Sequence, residues 1–344
     1  MSANRTADLE AIARSLVAAG KGILAVDESM GTIEKRLTGA GITPTDAKRR
    51  AYCELLLTTP KLGEFISGAI LFDETLRQKA ANGTPLIEAL QLQGIIPGIK
   101  VDRGATPLAG FPNEKITVGL DGLRARLTEY AELGARFAKW RAVIAISSDL
   151  PTHACLVANA QALARYAALA QEAGLVPIVE PEILMDGEHS LERHGEVTEA
   201  TLHLVFHALR EQRVRLEAIL LKTNMVLPGT ENSTPASVAE VARATLECVR
   251  RAVPAAVPGI VFLSGGQSDE QATMHLNELN RAGPAPWQLS FSFGRALQSS
   301  ALKAWSGKAE NIPEAQRALC HRAECNSAAR SGTYSGAMEQ ARMH

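Results

Sequence analysis

The sequence has no excess of charge of either sign. Its 344 residues include 36 lysines and arginines against 37 aspartates and glutamates, which gives a formal net charge of -1. A protein that binds nucleic acid or an anionic membrane through its overall field carries a basic excess or a basic patch. We therefore expect no nucleic-acid partner and no membrane partner, and an anionic ligand would have to be bound by a few local cations.

Cysteines are few, and their pattern is not that of a disulfide framework. They are odd in number, scattered and without a CxxC pair: Cys53, Cys155, Cys248, Cys320 and Cys325. This usage is typical of a reducing compartment. The first twenty residues carry acidic side chains and no uninterrupted apolar segment, and no run of eighteen apolar residues occurs. These absences predict a cytoplasmic protein.

Repeats, low-complexity blocks and long Pro/Gly linkers are also missing, so a single domain is expected. With 46% hydrophobic residues the chain can build a sizeable core. Eight short runs of strand character recur along it: "GILAVDES" from 22, "ISGAILFDET" from 66, "IIPGIKVDRG" from 95, "RAVIAISSDL" from 141, "LVPIVEPEI" from 175, "LEAILLKTNMV" from 216, "GIVFLSGGQ" from 259 and "WQLSFSFGRAL" from 287.

Most of these runs are separated by amphipathic stretches with apolar residues three and four apart, such as "PASVAEVARATLECVRRAV", which indicate helices. Eight strand–helix units predict an α/β protein with a (β/α)8 TIM barrel, whose active-site residues lie at the C-terminal ends of the strands. The alternative is an open doubly wound sheet. It is disfavoured because no GxGxxG turn follows the first run.

Polar residues stand near the ends of these runs. Lys222 follows an apolar run, although an unpaired buried ammonium costs several kcal/mol. Side chains two apart on a strand share a face, so Lys139 with Arg141, and Glu180 with Glu182, can both point into the barrel. The last two runs end in "LSGGQ" and "SFGR", and glycine-rich ends of the last barrel strands commonly bind phosphate.

This combination supports one kind of chemistry. A lysine amine attacks a carbonyl only when it is neutral, so we expect Lys139 and Lys100, with partial desolvation, to lower the pKa of Lys222. The protonated imine that forms can accept the electron pair of a broken carbon–carbon bond. Glu180 could move the protons of imine formation, and Asp27 could serve as the base on the departing alcohol. The set indicates aldol cleavage of a phosphorylated ketose.

The motifs "LAVDES", "GIKVD", "AKWR", "VPIVEPEILMDG", "LLKTNMVLPG", "FLSGGQS" and "SFGRALQSSALKAW" resemble, in order and over nearly the whole chain, the class I fructose-bisphosphate aldolases. The resemblance implies a (β/α)8 barrel without a metal or other cofactor, usually a homotetramer. It implies reversible cleavage of fructose 1,6-bisphosphate to dihydroxyacetone phosphate and glyceraldehyde 3-phosphate, in glycolysis and gluconeogenesis.

Residue roles are carried over from the resemblance by motif. Lys222 would form the Schiff base, Glu180 would be the main proton donor and acceptor, and Asp27 would handle the C4 hydroxyl proton. Lys139 would be the cation that tunes both carboxylates, and Glu182 would support the proton network. The residues similar to the family's substrate-binding positions are Lys35, Arg36, Lys100, Arg141, Ser264, Gly265, Gly266, Ser292, Gly294 and Arg295.

The sequence departs from the family pattern at three places. Met30 stands where the family usually has threonine, and Thr223 stands where proline is common. Animal members end in an aromatic residue that reaches the site, whereas the last tyrosine here is Tyr334. We expect the barrel, with an N-terminal helix, to span residues 1–326 and residues 327–344 to form a mobile tail, which is rich in small and polar residues.

Three other functions remain as alternatives. A metal-dependent aldolase would need histidines at strand ends, and the close pair His203 and His207 lies in a predicted helix instead. A transaldolase-like or deoxyribose-phosphate aldolase shares the lysine chemistry without these motifs. A sugar-phosphate-binding scaffold without turnover is disfavoured by the intact acidic and basic set. The sequence leaves open the preference among fructose 1,6-bisphosphate, fructose 1-phosphate and sedoheptulose 1,7-bisphosphate.

Overall fold

The structure is a computed structural model that describes residues 3–340, with side chains from residue 6 onward. Each apolar run of the sequence overlaps a buried strand, although β6 begins four residues before the run at 141. The strands are β1 Gly22–Val26, β2 Ile66–Leu71, β3 Ile96–Lys100, β4 Ala105–Pro107, β5 Lys115–Thr117, β6 Phe137–Ile144, β7 Val176–Ile183, β8 Leu220–Thr223, β9 Gly259–Phe262 and β10 Gln288–Phe293.

In the described part of the chain, eight of these strands close into a parallel barrel in the order β1-β2-β3-β6-β7-β8-β9-β10, with β10 paired back to β1. The predicted (β/α)8 barrel is confirmed, and the open doubly wound sheet is wrong. Neighbouring strands are in parallel register, so their C-terminal ends meet at one rim. Polar residues at eight separate places in the sequence are thereby brought to one mouth.

Helices cover the outside of the barrel, as the amphipathic stretches predict. Several begin at a Ser or Thr whose side chain accepts a backbone N–H, and Ser237 with Glu240 forms a complete capping box. The helices are α1 Ala3–Leu16, α2 Met30–Gly39, α3 Asp46–Leu57, α4 Asp73–Arg77, α5 Leu86–Gln91, α6 Leu123–Glu132, α7 His153–Glu172, α8 Leu191–Glu211, α9 Val238–Ala252, α10 Asp269–Arg281, α11 Arg295–Trp305, α12 Ile312–Arg330 and α13 Ala337–Gln340.

The barrel interior is packed at the end opposite the mouth. Leu9 and Leu16 of α1 belong to the same apolar cluster as Phe137 and Ile178, which point inward from β6 and β7. The ring of Phe137 lies where a side chain at Gly98 would begin, since a Cβ there would be 2.2 Å from Phe137 Cζ. This close approach requires glycine at position 98. Helix α1 therefore helps to close the bottom of the barrel, and the mouth remains available for polar chemistry.

Two features differ from the expectations. The hairpin β4–β5 is inserted between β3 and β6, and its short, largely exposed strands show no alternating pattern that sequence reasoning could detect. Helix α12 also continues past the expected tail boundary at residue 327, as far as Arg330. Ala329 is fully buried, and Arg330 donates to the Val17 carbonyl at 3.1 Å.

Residues 331–340 lie along α10 and α12. The backbone N–H of Tyr334 donates to Asn277 Oδ1 at 3.0 Å, and the expected end of the tail, residues 341–344, lies outside the described residues. Across residues 3–340, every helix is either too short or insufficiently apolar to traverse a bilayer.

Candidate active site

A cavity of about 530 Å³ opens at the C-terminal ends of the barrel strands. Every predicted site residue except Gly266 lies in its wall, although these residues come from seven different strand ends and from α2. The predicted residues that line it are Asp27, Lys35, Arg36, Lys100, Lys139, Arg141, Glu180, Glu182, Lys222, Ser264, Gly265, Ser292, Gly294 and Arg295.

A continuous chain of ion pairs crosses the cavity floor. Lys139 Nζ lies 2.6 Å from Asp27 Oδ2 and 3.0 Å from Glu180 Oε2. The other oxygen of that carboxylate, Glu180 Oε1, lies 3.0 Å from Lys222 Nζ. Lys139 and Glu180 are each 3% exposed and Lys222 is 4% exposed. Charges this deeply buried are tolerated only because each has opposite charge beside it.

The neighbouring strands bring these groups to one level. Leu221 of β8 pairs with Val179 of β7, so Lys222 and Glu180 follow side by side at the next position. Lys139 comes from β6, on the other side of β7, and Asp27 follows β1 from across the mouth. Glu180 therefore stands between two lysines, and Lys139 stands between two carboxylates.

Burial and charge act against each other on the two carboxylates. Burial alone would raise the pKa of Asp27, but Lys139 and Lys222 outweigh it and lower the pKa to about 2. For Glu180 burial also opposes ionisation, and Lys139, Lys222 and Arg141 together lower its pKa. Burial would lower the pKa of Lys139, whereas Asp27 and Glu180 raise it. The resting site therefore holds two carboxylates and an ammonium at neutral pH.

A second layer of pairs lies beside β3 and β6. The Arg141 guanidinium donates through Nε to Glu182 Oε2, and Lys100 Nζ lies 2.9 Å from Asp102 Oδ1. Asp102 also accepts from the Arg141 backbone N–H at 3.2 Å. Sequence reasoning missed Asp102. It lies two residues after Lys100, and the same spacing was used to predict that Glu180 and Glu182 share one face of their strand.

The opposite side of the mouth is built from glycine turns and hydroxyls. Ser264 and Gly265 follow β9, and Ser292 of β10 is buried with a hydroxyl that has no hydrogen-bond partner among the described residues. Gly294 precedes the first turn of α11, whose first residue is Arg295. Backbone N–H groups at a helix N-terminus favour an anion. Gly266 does not line the cavity, but it has φ +73°, and a Cβ there would be 2.6 Å from Met185 Cγ.

Helix α2 is held to the cavity by a buried carboxylate that the sequence analysis did not place in the site. Glu28 accepts from Arg36 Nη1 and, at 3.0 Å, from Gln298 Nε2 of α11. Burial raises the pKa of Glu28, and Arg36 opposes this effect. Its position next to Asp27 was a usable signal, because both follow β1. The departures Met30 and Thr223 lie at the start of α2 and at the end of β8, beside Ser29 and Lys222.

The histidine pair considered for a metal site lies away from the cavity. His203 and His207 are on α8, and their side chains are 55% and 68% exposed. Each lies within 4 Å of a glutamate on the same helix, Glu199 and Glu211 respectively. These contacts are typical of a solvated helix face.

Comparison with known proteins identifies the family. The sequence model of the glycolytic class-I fructose-bisphosphate aldolase family matches residues 8–344. The chain belongs to this family. It is 59% identical over 325 residues to a probable fructose-bisphosphate aldolase class 1 of Xanthomonas campestris pv. campestris, covering 94% of this chain and 97% of the relative. It is 53% identical over 326 residues to fructose-bisphosphate aldolase 1 of Toxoplasma gondii, covering 94% and 90%.

A solved structure shows the same similarity in three dimensions. It is fructose-bisphosphate aldolase from Plasmodium falciparum in a ternary complex with TRAP and a small-molecule inhibitor. The TM-score is 0.96 at 50% sequence identity, with 98% of this chain and 97% of that chain covered. The family, the enzyme class and the Schiff-base aldol chemistry predicted from the sequence are confirmed. The protein is a class I aldolase and therefore a lyase.

Proposed function

We propose that Lys222 forms the Schiff base with the C2 carbonyl of fructose 1,6-bisphosphate, that Glu180 and Asp27 move the protons of the reaction, and that Lys139 orients both carboxylates. The observation that carries this assignment is the unbroken chain of ion pairs from Asp27 through Lys139 and Glu180 to Lys222. It lies on the floor of a cavity with cationic groups on two sides.

Glu180 is placed for both halves of imine formation. Its Oε1 is 3.0 Å from Lys222 Nζ, so the carboxylate can accept a proton and leave the amine able to attack C2. The carbinolamine oxygen must then leave as water, and the protonated carboxyl can supply the proton for that step. Lys139, 3.0 Å from the other oxygen, keeps the carboxylate oriented throughout.

Asp27 is placed for bond cleavage. The protonated imine withdraws the electron pair of the C3–C4 bond, the C4 hydroxyl proton moves to a base, and glyceraldehyde 3-phosphate leaves. The electron pair remains on the enzyme-bound enamine, which is later protonated at C3. Asp27 is ionised in the resting site, and it faces Lys222 across Lys139. This position suits the base on the C4 hydroxyl.

The ring order of the barrel supports two phosphate sites at opposite ends of the substrate. In the closed ring, β3 lies across from β9 and β6 lies across from β10. Lys100 and Arg141 are therefore on the opposite side of the mouth from Ser264, Gly265, Ser292 and Arg295. We assign the C1 phosphate to the glycine turns and the α11 N-terminus, and the C6 phosphate to Lys100 and Arg141.

Two carboxylates would position phosphate-binding cations, and one further lysine would add charge at the rim. Glu182 holds the Arg141 guanidinium, and Glu28 holds Arg36. Lys35 is exposed at the cavity edge, where it would contribute a mobile positive charge near the C1 phosphate. Arg141 and Arg36 would thus be oriented by carboxylates, whereas Lys35 would remain free to move at the rim.

Trapping of the imine tests the assignment. Borohydride in the presence of dihydroxyacetone phosphate should inactivate the enzyme irreversibly and add mass to the peptide that contains Lys222, because reduction makes the carbon–nitrogen bond permanent. Lys222→Met should abolish labelling, and Lys303→Met, a surface lysine on α11, is the matched control. Labelling of Lys139 or Lys100 in the wild-type enzyme would contradict the assignment.

We also propose a cytoplasmic homotetramer. All five cysteines are free, as expected of a reducing compartment. Light scattering coupled to size-exclusion chromatography should give four times the 36.7 kDa chain mass. A stable monomer at micromolar concentration would refute the tetramer without affecting the assignment of Lys222.

A further inference from the structure

A group of metal-ligating side chains lies outside the substrate cavity, where the C-terminal segment returns along α12. His321 and Cys325 are one helical turn apart on the same face of α12, and Glu339 approaches them from α13. His321 Nε2 is 3.7 Å from Cys325 Sγ and 3.7 Å from Glu339 Oε2. All three ligand atoms lie within 4.8 Å of one another.

These distances are close to those that a tetrahedral ion imposes. Zinc bonds of about 2.3 Å to sulfur and about 2.0–2.1 Å to nitrogen or oxygen, at tetrahedral angles, place neighbouring ligand atoms roughly 3.3–3.6 Å apart. The two 3.7 Å separations from His321 Nε2 exceed this range only slightly. Histidine, thiolate and carboxylate are also the ligand types that zinc uses.

The carboxylate is already oriented for a metal ion. Glu339 Oε1 accepts from Tyr334 Oη at 2.8 Å and from Arg322 Nη1, so Oε2 is the oxygen that faces His321. Arg322 is itself fixed, since its Nη2 donates to the Asp269 carbonyl at 3.1 Å. Metal-ligating carboxylates are commonly held by such outer hydrogen bonds, which set their direction.

The cluster is only partly open to solvent. Cys325 is fully buried, whereas the side chains of His321 and Glu339 are 15% and 20% exposed. Solvent can reach the ligands from the side of His321 and Glu339, where a water molecule could serve as a fourth ligand. None of the three residues lines the cavity that contains Lys222, so an ion here would take no part in the aldol reaction.

We propose that His321, Cys325 and Glu339 bind one zinc ion, or another divalent transition-metal ion with the same ligand preference, and that this ion fastens residues 331–340 to α12. A water molecule completes the tetrahedron, and the Cys325 thiol gives up its proton when the ion binds. The ion cross-links α13 to α12, because Glu339 contributes one ligand and α12 contributes the other two.

Direct titration of zinc into chelator-treated, full-length enzyme tests the site. We expect one equivalent to bind tightly, and His321→Asn or Glu339→Gln to weaken that binding by more than about 100-fold. Tyr334→Phe keeps all three ligands but loses a hydrogen bond to Glu339, and should weaken binding by about 10- to 100-fold. His207→Asn and Cys320→Ser remove the same side-chain types elsewhere and should change nothing. Unchanged zinc affinity in both His321→Asn and Glu339→Gln would overturn the proposal.

Cobalt gives a second readout that identifies the sulfur ligand. Substituted for zinc, Co²⁺ should show a thiolate-to-metal charge-transfer band that is present in Cys320→Ser and absent in Cys325→Ser. Aldol cleavage by each variant shows that the protein is folded, so a lost band cannot be attributed to unfolding. Absence of the band in the wild-type enzyme would exclude Cys325 as a ligand and overturn the site.

The proposed cross-link has its own test. Hydrogen exchange of backbone amides in residues 331–340 should slow when zinc is added, and this protection should be lost in Glu339→Gln. Equal exchange with and without zinc would overturn the fastening role. Cleavage of fructose 1,6-bisphosphate should be the same in both conditions, because the ion lies outside the reaction.

Discussion

At the scale of single residues, this site depends on buried charges that stabilise one another. Lys139 touches two carboxylates, and Glu180 touches two lysines. Removing one member leaves its partner buried and uncompensated, which costs more than the lost contact alone. A kinetic defect in such a variant therefore mixes lost proton transfer with disturbed positions of the remaining charges. Substitutions at the rim of the cavity are easier to interpret.

Arg295 at the rim provides such a test. Its planar guanidinium can bind two phosphate oxygens at once, and lysine cannot reproduce that geometry. We expect Arg295→Lys to lower kcat/KM for fructose 1,6-bisphosphate by roughly tenfold, about 1.4 kcal/mol, with little effect on an unphosphorylated ketose. Arg281→Lys, on the surface of α10, is the control. Equal losses on both substrates would mean that Arg295 acts through structure rather than through phosphate.

His194 links stability to pH. It is fully buried against His189, with ring centroids 5.2 Å apart, and its Nδ1 accepts from the Leu227 backbone N–H at 3.2 Å. Burial, with help from His189, lowers the pKa of His194 from 6.5 to about 3. Below pH 6.5 the unfolded chain takes up a proton that the folded protein does not. The free energy of unfolding therefore falls as pH falls, and the contribution is fully present only above pH 6.5.

Between pH 7 and pH 5 this single group should remove about 2 kcal/mol of stability. In His194→Asn the amide oxygen can take the place of Nδ1 without titrating, so urea unfolding should show a correspondingly flatter pH dependence. His203→Asn, exposed on the same helix, should behave as wild type. An unchanged slope in His194→Asn would show that the imidazole is not what couples folding to protons.

At the scale of elements, the position of the cavity depends on how tightly the opposite end of the barrel is packed. Phe137 points inward at the start of β6, against Gly98 on β3 and Gly68 on β2. The same strand carries Lys139 two residues later. The pairing of β6 with β3 thus sets both the lower packing and the height at which Lys139 meets Asp27.

Gly98→Ala tests this packing. The added methyl group would begin 2.2 Å from Phe137 Cζ, so the fully buried ring or the strand would have to shift to admit it. We expect a loss of about 1–3 kcal/mol or more in the free energy of unfolding, measured by urea denaturation. Gly39→Ala is the control, because a Cβ there meets nothing within 4 Å. Partial rescue of Gly98→Ala by Phe137→Leu would attribute the loss to the ring, and a neutral Gly98→Ala would contradict the packing.

At the scale of the whole molecule, the C-terminal segment runs from the bottom of the barrel back along α10 and α12. Arg330 donates a hydrogen bond to Gln288, the first residue of β10. Glu339 accepts a hydrogen bond from Arg322, which also donates to the carbonyl of Asp269 at the start of α10. Tyr334 bonds to Asn277 and Glu339, and it does not line the substrate cavity. The segment is bound to the outer helices in this conformation.

Truncation after Arg330 separates stability from catalysis. The change removes the carboxylate of Glu339 from Arg322, which is 3% exposed, so the free energy of unfolding in metal-free buffer should fall by about 1–3 kcal/mol. Borohydride trapping should remain normal, and turnover should fall less than tenfold, under about 1.4 kcal/mol of barrier. Glu339→Gln should share part of the stability loss at full turnover. A hundredfold loss of turnover with normal trapping would place a group of the segment in proton exchange.

The sequence alone determined the architecture and the residue types of the site. Each of the eight apolar runs is a local signal, because a strand buried on both sides must be apolar along its length. Lys222, Glu180 and Asp27 stand out because charged residues next to such runs need a partner. The spacing of two residues between Glu180 and Glu182 also indicates that their side chains lie on the same face of a strand, and this inference needs no knowledge of the fold. These inferences required only the chemistry and the order of neighbouring residues.

Only the tertiary structure decided which groups meet. Asp27 and Lys139 are more than a hundred positions apart in the chain, and their contact exists because the barrel closes β10 onto β1 and turns β6 toward the same mouth. The Glu28–Gln298 bond, the hairpin β4–β5 and the return of Glu339 to His321 have the same origin. A sequence pattern reports the period and polarity of one segment, whereas contacts between segments follow from strand order and packing, which no single segment contains.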